Sequence, residues 1–208
     1  MKTVLLHGLG QSPESWKGVR AELGEGLEVL CPALSGLLRG GPASYPSLYR
    51  GLEDYCKGQA GPLGLCGLSL GGILALQYAL EHPKRVERLA LIGTQVCMPA
   101  GLLRVQDLIF HLLPAGSFRS MGFPKADVIC LTRSMRTLDF QDKLSRICCP
   151  VLVVCGDRDR ANRKAAFQMK EAIPGAELIL LEGAGHEANI DQPKVLGRTL
   201  KRFLTSEA

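Results

Sequence analysis

The chain is poor in aromatics, which make up 5% of its residues and include a single tryptophan. Surfaces that bind single-stranded nucleic acid stack bases on aromatic rings along a basic groove. Here the 25 Lys and Arg are scattered, the densest groups being Lys84-Arg85 with Arg88 and Lys201-Arg202. A net charge of +5 spread in this way leaves no nucleic-acid footprint, so nucleic acid is not an expected partner. Long hydrophobic runs are also missing. No uninterrupted apolar stretch approaches the roughly 18 residues that cross a bilayer. The opening run at residues 4–6 is too short for a secretory leader and has no small-residue cleavage site behind it. The expectation is a cytoplasmic protein with no membrane span. The eight cysteines include no CxxC pair, and Cys148 and Cys149 are adjacent, which removes the spacing that zinc sites and thioredoxin-type centres use. Cys66 and Cys155 sit inside apolar runs, where cysteine acts as a small hydrophobe. Free thiols in a reducing compartment and no bound metal follow as expectations.

Short apolar runs alternate with longer amphipathic stretches, the pattern of an α/β domain with a mostly parallel sheet. Strands are predicted over 3–6, 28–31, 63–66, 86–92, 151–155 and 177–181. Helices are predicted from Ser12 or Ser15 toward 23, then over 47–59, 73–81, 163–172 and 192–203. At 208 residues the chain fits one domain, 1–208. The alternation breaks over 96–146. Helical stretches predicted at 102–113 and 126–138 make this segment a small cap inserted between two strands. There is no internal repeat and no low-complexity segment.

Three loops carry chemistry. Gly67-Leu68-Ser69-Leu70-Gly71 fits G-x-S-x-G, and it stands between a predicted strand and a predicted helix as that turn requires. A serine on such a turn is lifted above the sheet, next to a helix N-terminus whose free N–H groups face a developing oxyanion. His7-Gly8-Leu9-Gly10 ends the first predicted strand. The backbone N–H groups of Leu9 and Leu70 are the candidate oxyanion donors that acyl transfer needs, and His7 reads as a structural residue. His186, in Glu182-Gly183-Ala184-Gly185-His186 after the last strand, is the candidate general base. Loops beyond the carboxyl ends of parallel strands converge on one face. His82, before Pro83, reads as a helix-end residue and His111 as core. For the acid, Asp157 and Asp159 both follow the 151–155 strand, and spacing alone does not choose between them. The order serine, aspartate, histidine is that of α/β-hydrolases.

Taken together, HGLGQSPESW, GLSLGG, CPVLVVCGDRD and GAGHEANIDQP make the chain resemble the α/β-hydrolase superfamily over nearly its whole length, as a small esterase- or lipase-like member with a short helical cap. The resemblance implies an α/β-hydrolase fold with helices on both faces of the sheet. It places the acid on Asp159 and the oxyanion donors on Leu9 and Leu70. The strand before HGLG begins at residue 2, where the family commonly has two further strands ahead of it, so a sheet of about six strands is expected. Cys31-Pro32-Ala33-Leu34-Ser35-Gly36 departs from the D-x-x-G-x-G stretch of many relatives.

The implied activity is a cofactor-free serine hydrolase acting on a small carboxylester or thioester through an acyl-enzyme on Ser69. The alternatives are C–C hydrolase, lyase, acyltransferase or perhydrolase chemistry on the same fold, or a ligand receptor that keeps the triad. Trp16, Met98, Leu102, Leu103 and Phe110 are candidate walls of an apolar acyl pocket, or else they hold the cap to the core. Oligomeric state is not encoded in any of these motifs.

Overall fold

The computed structural model describes residues 1–38, 43–98 and 123–206. Six strands make one sheet: β1 (Lys2–Leu6), β2 (Glu28–Leu30), β3 (Leu63–Leu68), β4 (Val86–Ile92), β5 (Val151–Gly156) and β6 (Glu177–Leu181). Their spatial order is β2-β1-β3-β4-β5-β6, and every neighbouring pair is parallel. The strands alternate between two cores. Val4, Leu6, Leu65, Leu91, Val151 and Val153 join one cluster, while Leu5, Cys66, Ala90, Ile92, Leu152 and Val154 join the other. A strand buried on both faces has to be apolar at nearly every position, which is why these segments read as unbroken hydrophobic runs.

Helices α1 (Lys17–Leu23) and α7 (Pro193–Thr205) cover one face of the sheet. The other is covered by α2 (Tyr45–Lys57), α3 (Leu70–Glu81) and α5 (Arg160–Ala172), with α4 (Lys125–Ser134) packed against α2. A single turn, α6 (Ala188–Asp191), precedes α7. Helix α2 begins two residues before the predicted start, with Ser44 accepting from the Ser47 N–H as its cap and Pro46 in the first turn. All eight cysteines are free. Burial pushes the Cys155 thiol up to about 11, so it serves as strand packing.

Between β4 and β5 the chain leaves and returns side by side. The Met98 N–H donates to the Leu138 carbonyl at 3.0 Å and the Phe140 N–H to the Val96 carbonyl at 2.8 Å. Helix α4 lies within this excursion. The helix predicted over 102–113 lies outside the described residues, and so does His111.

After β1 the chain moves outward to β2, and from β2 it crosses back to β3 on the other side of β1. The loops following β1 and β3 therefore diverge at the point where strand order reverses, where open α/β sheets form their binding crevice. Helix α3 must start close to this point, and Gly71 permits it. A Cβ built there would lie 2.2 Å from the Leu6 carbonyl oxygen and 2.8 Å from that of His7. These are backbone atoms that cannot swing aside. Gly71→Ala is expected to destabilise the fold by about 3 kcal/mol, seen as a lower denaturant midpoint at unchanged slope.

Candidate active site

Ser69 stands between β3 and α3 with φ 52° and ψ −115°. Among the described residues it is the one non-glycine with positive φ. Such a backbone costs about 1–3 kcal/mol and persists only where its surroundings over-determine it. Here they do. The Ser69 N–H donates to the Ile92 carbonyl at 2.9 Å, and its own carbonyl accepts from the Ile73 N–H at 3.0 Å. The serine is thus fastened to the end of β4 and to the first turn of α3, as a nucleophile elbow is.

The same stitching continues across the sheet edge. The Gly93 N–H donates to Val154 O at 2.9 Å, Asp157 N–H to Leu181 O at 3.0 Å and Arg158 N–H to Ala184 O at 3.0 Å. These bonds hold the loops after β3, β4, β5 and β6 in one row. His186 lies over that row: a Cβ built on Gly93 would fall 3.1 Å from its Nδ1 and 3.3 Å from Asp159 Oδ2. Gly93 directly follows Ile92, the residue that holds the Ser69 N–H. The His186–Asp159 pair thus lies against Gly93, the residue after the one that anchors the Ser69 N–H.

His186 Nδ1 and Asp159 Oδ2 are 2.9 Å apart. With a carboxylate as acceptor, the imidazole proton sits on Nδ1, and Nε2 is left with its lone pair. The Asp159 side chain is 4% exposed and that of His186 42%, so the carboxylate is sealed while the imidazole is open to solvent. Burial pushes the Asp159 carboxyl up, but the hydrogen bonds from His186 and Asn162 outweigh it and hold the group below its usual value. Asp157 takes no part. Its Oδ1 is buried without a hydrogen-bond partner among the described residues, and the histidine belongs to Asp159.

Asn162, which sequence reading missed, completes this pair. It stands three residues into α5 from Asp159, the helix cap. Its backbone N–H donates to Asp159 Oδ1 at 3.3 Å, and its Nδ2 lies 2.9 and 2.7 Å from the two carboxylate oxygens. Gln95 Nε2 donates to Asn162 Oδ1 at 2.8 Å, which turns the amide nitrogen toward the acid. Asn162 Nδ2 is also 3.0 Å from His186 Nδ1. Two donors face each other there when Nδ1 is protonated, so the amide hydrogens go to the carboxylate, whose charge-assisted bonds are the stronger.

The loop after β1 rests on the elbow, with the Cβ position of Gly8 3.6 Å from Ser69 Cβ. Leu9 follows Gly8, and Leu70 is the first residue of α3. Neither N–H has an acceptor among the described residues. His7 is 3% exposed. Its Nδ1 donates to Gly8 O at 2.9 Å and its Nε2 accepts from the Leu34 N–H at 3.1 Å. Both ring nitrogens are thus used in the neutral form. Burial lowers its pKa, against the opposing bond to Gly8. His7 braces the loop and is no rival base.

The candidate pocket walls fare differently. Trp16 has no exposed surface and fills the core under α1 and α7 beside Leu5 and Val19. The turn at Pro13–Trp16 ends on this residue, which packs as core there. Met98 is buried in the opposite cluster. Leu102, Leu103 and Phe110 lie outside the described residues. His82 Nε2 pairs with Glu53 at 2.9 Å at the end of α3, away from the row of loops.

Comparison with known proteins places this geometry in a family. The chain is 43% identical over 95 residues to a pimeloyl-[acyl-carrier protein] methyl ester esterase of Aromatoleum aromaticum, an alignment covering 45% of this chain and 37% of that protein. An uncharacterized protein of Mycobacterium tuberculosis is 31% identical over 97% of this chain and 74% of its own length. Among solved structures, a hydrolase from Pseudomonas aeruginosa superimposes with a TM-score of 0.84 at 21% identity, covering 99% of this chain and 90% of that one. The alpha/beta hydrolase family model matches residues 3–198, and the chain belongs to that family.

Proposed function

We propose that the protein is a serine hydrolase that cleaves a small carboxylester or thioester through an acyl-enzyme on Ser69. The observation that carries this reading is the 2.9 Å bond from His186 to the sealed carboxylate of Asp159, made against Gly93, the residue after the one that anchors the strained serine. His186 Nε2 takes the Ser69 proton as Oγ attacks the acyl carbon. The N–H groups of Leu9 and Leu70 receive the oxyanion of the tetrahedral intermediate. His186 then returns the proton to the leaving alcohol or thiol. Water, deprotonated by the same imidazole, attacks the acyl carbon, and as the second tetrahedral intermediate collapses His186 returns that proton to Ser69 Oγ and the carboxylic acid leaves. Asp159 stays ionised throughout and stabilises the imidazolium. Each proton passes through His186 between Ser69, the leaving group and water, so the sequence of steps calls for no cofactor.

Support from the relatives is of the same kind: the A. aromaticum protein is named an ester hydrolase. Among the described residues no helix is long and apolar enough to cross a membrane, which fits a small-molecule acyl substrate reached from water. Purified protein should hydrolyse p-nitrophenyl acetate and short acyl thioesters with burst kinetics, the release of p-nitrophenol outrunning that of acetate in the first turnover. Inactivity across acyl esters, thioesters and amides would overturn the reading in favour of a receptor that keeps the triad.

A further inference from the structure

Three polar residues that the mechanism does not use meet beside the active-site row. Gln11 is 5% exposed and Asn189 1%. Their carboxamides face each other reciprocally: Gln11 Nε2 donates to Asn189 Oδ1 at 3.1 Å, and Asn189 Nδ2 to Gln11 Oε1 at 3.1 Å. Gln11 Nε2 also donates to Glu187 Oε1 at 3.0 Å. On its other side Gln11 Oε1 accepts from the Gly8 N–H at 3.3 Å and from Ser15 Oγ at 3.2 Å. Asn189 Nδ2 is 3.3 Å from the Ser15 carbonyl. Every donor and acceptor of the Gln11 side chain is occupied.

The placement of these bonds matters more than their number. Glu187 directly follows the histidine. Gly8 directly precedes Leu9, whose N–H is a proposed oxyanion donor. The two loops are about as far apart in sequence as the chain permits, and their own backbones share no strand pairing, since β1 and β6 are separated by three strands. Gln11 bridges them through its carboxamide, beside a second tie from Asn189 Nδ2 to the Ser15 carbonyl.

We propose that Gln11 is a positioning residue that sets the Leu9 N–H and the His186 imidazole on Ser69 as a unit. The inference rests on the serine hydrolase reading. If the donor and the base were placed by independent loops, small shifts of either would misalign one while leaving the other in place. With Gln11 between them the loops move together. Misplacing a reacting group by about 1 Å costs about 10²-fold in rate, so a tie of this kind acts on turnover more than on substrate binding.

The test uses Gln11→Glu, which keeps the oxygen that accepts from Gly8 but sets a carboxylate against Glu187. Ester hydrolysis is measured beside the affinity for phenylboronic acid, which forms a tetrahedral adduct on an active serine, and for the carboxylic acid product. The expected result is a fall of about 10²-fold in kcat with KM and product affinity nearly unchanged, boronate affinity falling in step with kcat. Adding Glu187→Gln supplies an amide opposite the new carboxylate and should recover about tenfold of the loss, the signature of a direct pair. Thermal melts identify the folded fraction, and if Gln11→Glu alone does not fold, the Gln11→Glu/Glu187→Gln pair against Gln11→Ala carries the comparison. Wild-type kcat and boronate affinity in Gln11→Glu, or no recovery in the pair, would overturn the proposal while an active wild type left the hydrolase reading standing. A wild type with neither ester turnover nor boronate binding strikes the hydrolase reading itself, and Gln11 then has no reaction to position.

Discussion

Replacing Ser69 with alanine is expected to lower kcat/KM for ester hydrolysis by about 10⁴–10⁶-fold and to leave the fold intact. The size follows from what is removed. Without Oγ no acyl-enzyme forms, and the remaining groups offer only a polarised pocket and a base that has to activate water from the wrong distance. The fold survives because the strained backbone at residue 69 is held by main-chain bonds to Ile92 and Ile73, and alanine keeps both. A melt close to wild type together with lost turnover separates chemistry from folding. Residual activity near wild type would mean that another nucleophile acts.

The second large effect is at the acid. Asp159→Asn should cost about 10⁴-fold in kcat, whereas Asp157→Asn should leave kcat close to wild type. An amide at 159 offers a hydrogen to His186 Nδ1 in place of a lone pair. That favours the imidazole tautomer with its proton on Nε2, where it cannot accept from Ser69. Asn162 adds to the damage in this protein. Its Nδ2 already stands 3.0 Å from Nδ1, and with the carboxylate gone it too can donate there. The same substitution changes acid stability in a fixed direction. The Asp159 carboxyl titrates lower in the folded chain than its ordinary value, so near the ordinary value the unfolded chain binds more protons. This contribution is fully present above about pH 4 and vanishes as pH falls through the folded pKa. Urea midpoints of wild type should therefore fall with acid more steeply than those of Asp159→Asn. The reverse assignment, a dead Asp157→Asn beside an active Asp159→Asn, would show that the other carboxylate serves.

Much of this was legible in the sequence because its determinants are local. The G-x-S-x-G stretch sets its own turn, and strands covered on both faces advertise themselves as apolar runs between helical segments. Element starts were less legible. Helix α3 begins at Leu70, three residues before the predicted start, because Gly71 and Gly72 look like poor helix formers until the close approach of Gly71 to Leu6 and His7, and of Gly72 to Thr94, explains them. Helix α5 likewise starts at Arg160 on the Asp159 cap. Trp16 beside the loop after β1 fits a pocket wall and a core plug equally well on paper, and its burial shows only in the folded chain. Gln11 and Asn189 were invisible for a plainer reason: one is a polar residue in a loop and the other in a single helical turn, and their meaning lies in partners far along the chain. Asn162 left a faint signal, three residues after an aspartate at a helix start, the spacing of a capping interaction.

On the proposed reading, an exposed imidazole, a sealed carboxylate and a strained serine form one proton-transfer line at the carboxyl edge of the sheet. The most direct measurement is to treat wild-type protein with a fluorophosphonate and map the adduct by peptide mass spectrometry. A single phosphonylated residue is expected, Ser69, with labelling that fades when His186 is replaced by alanine. An adduct on a different residue, or labelling of Ser69 that proceeds equally fast without the imidazole, would contradict it.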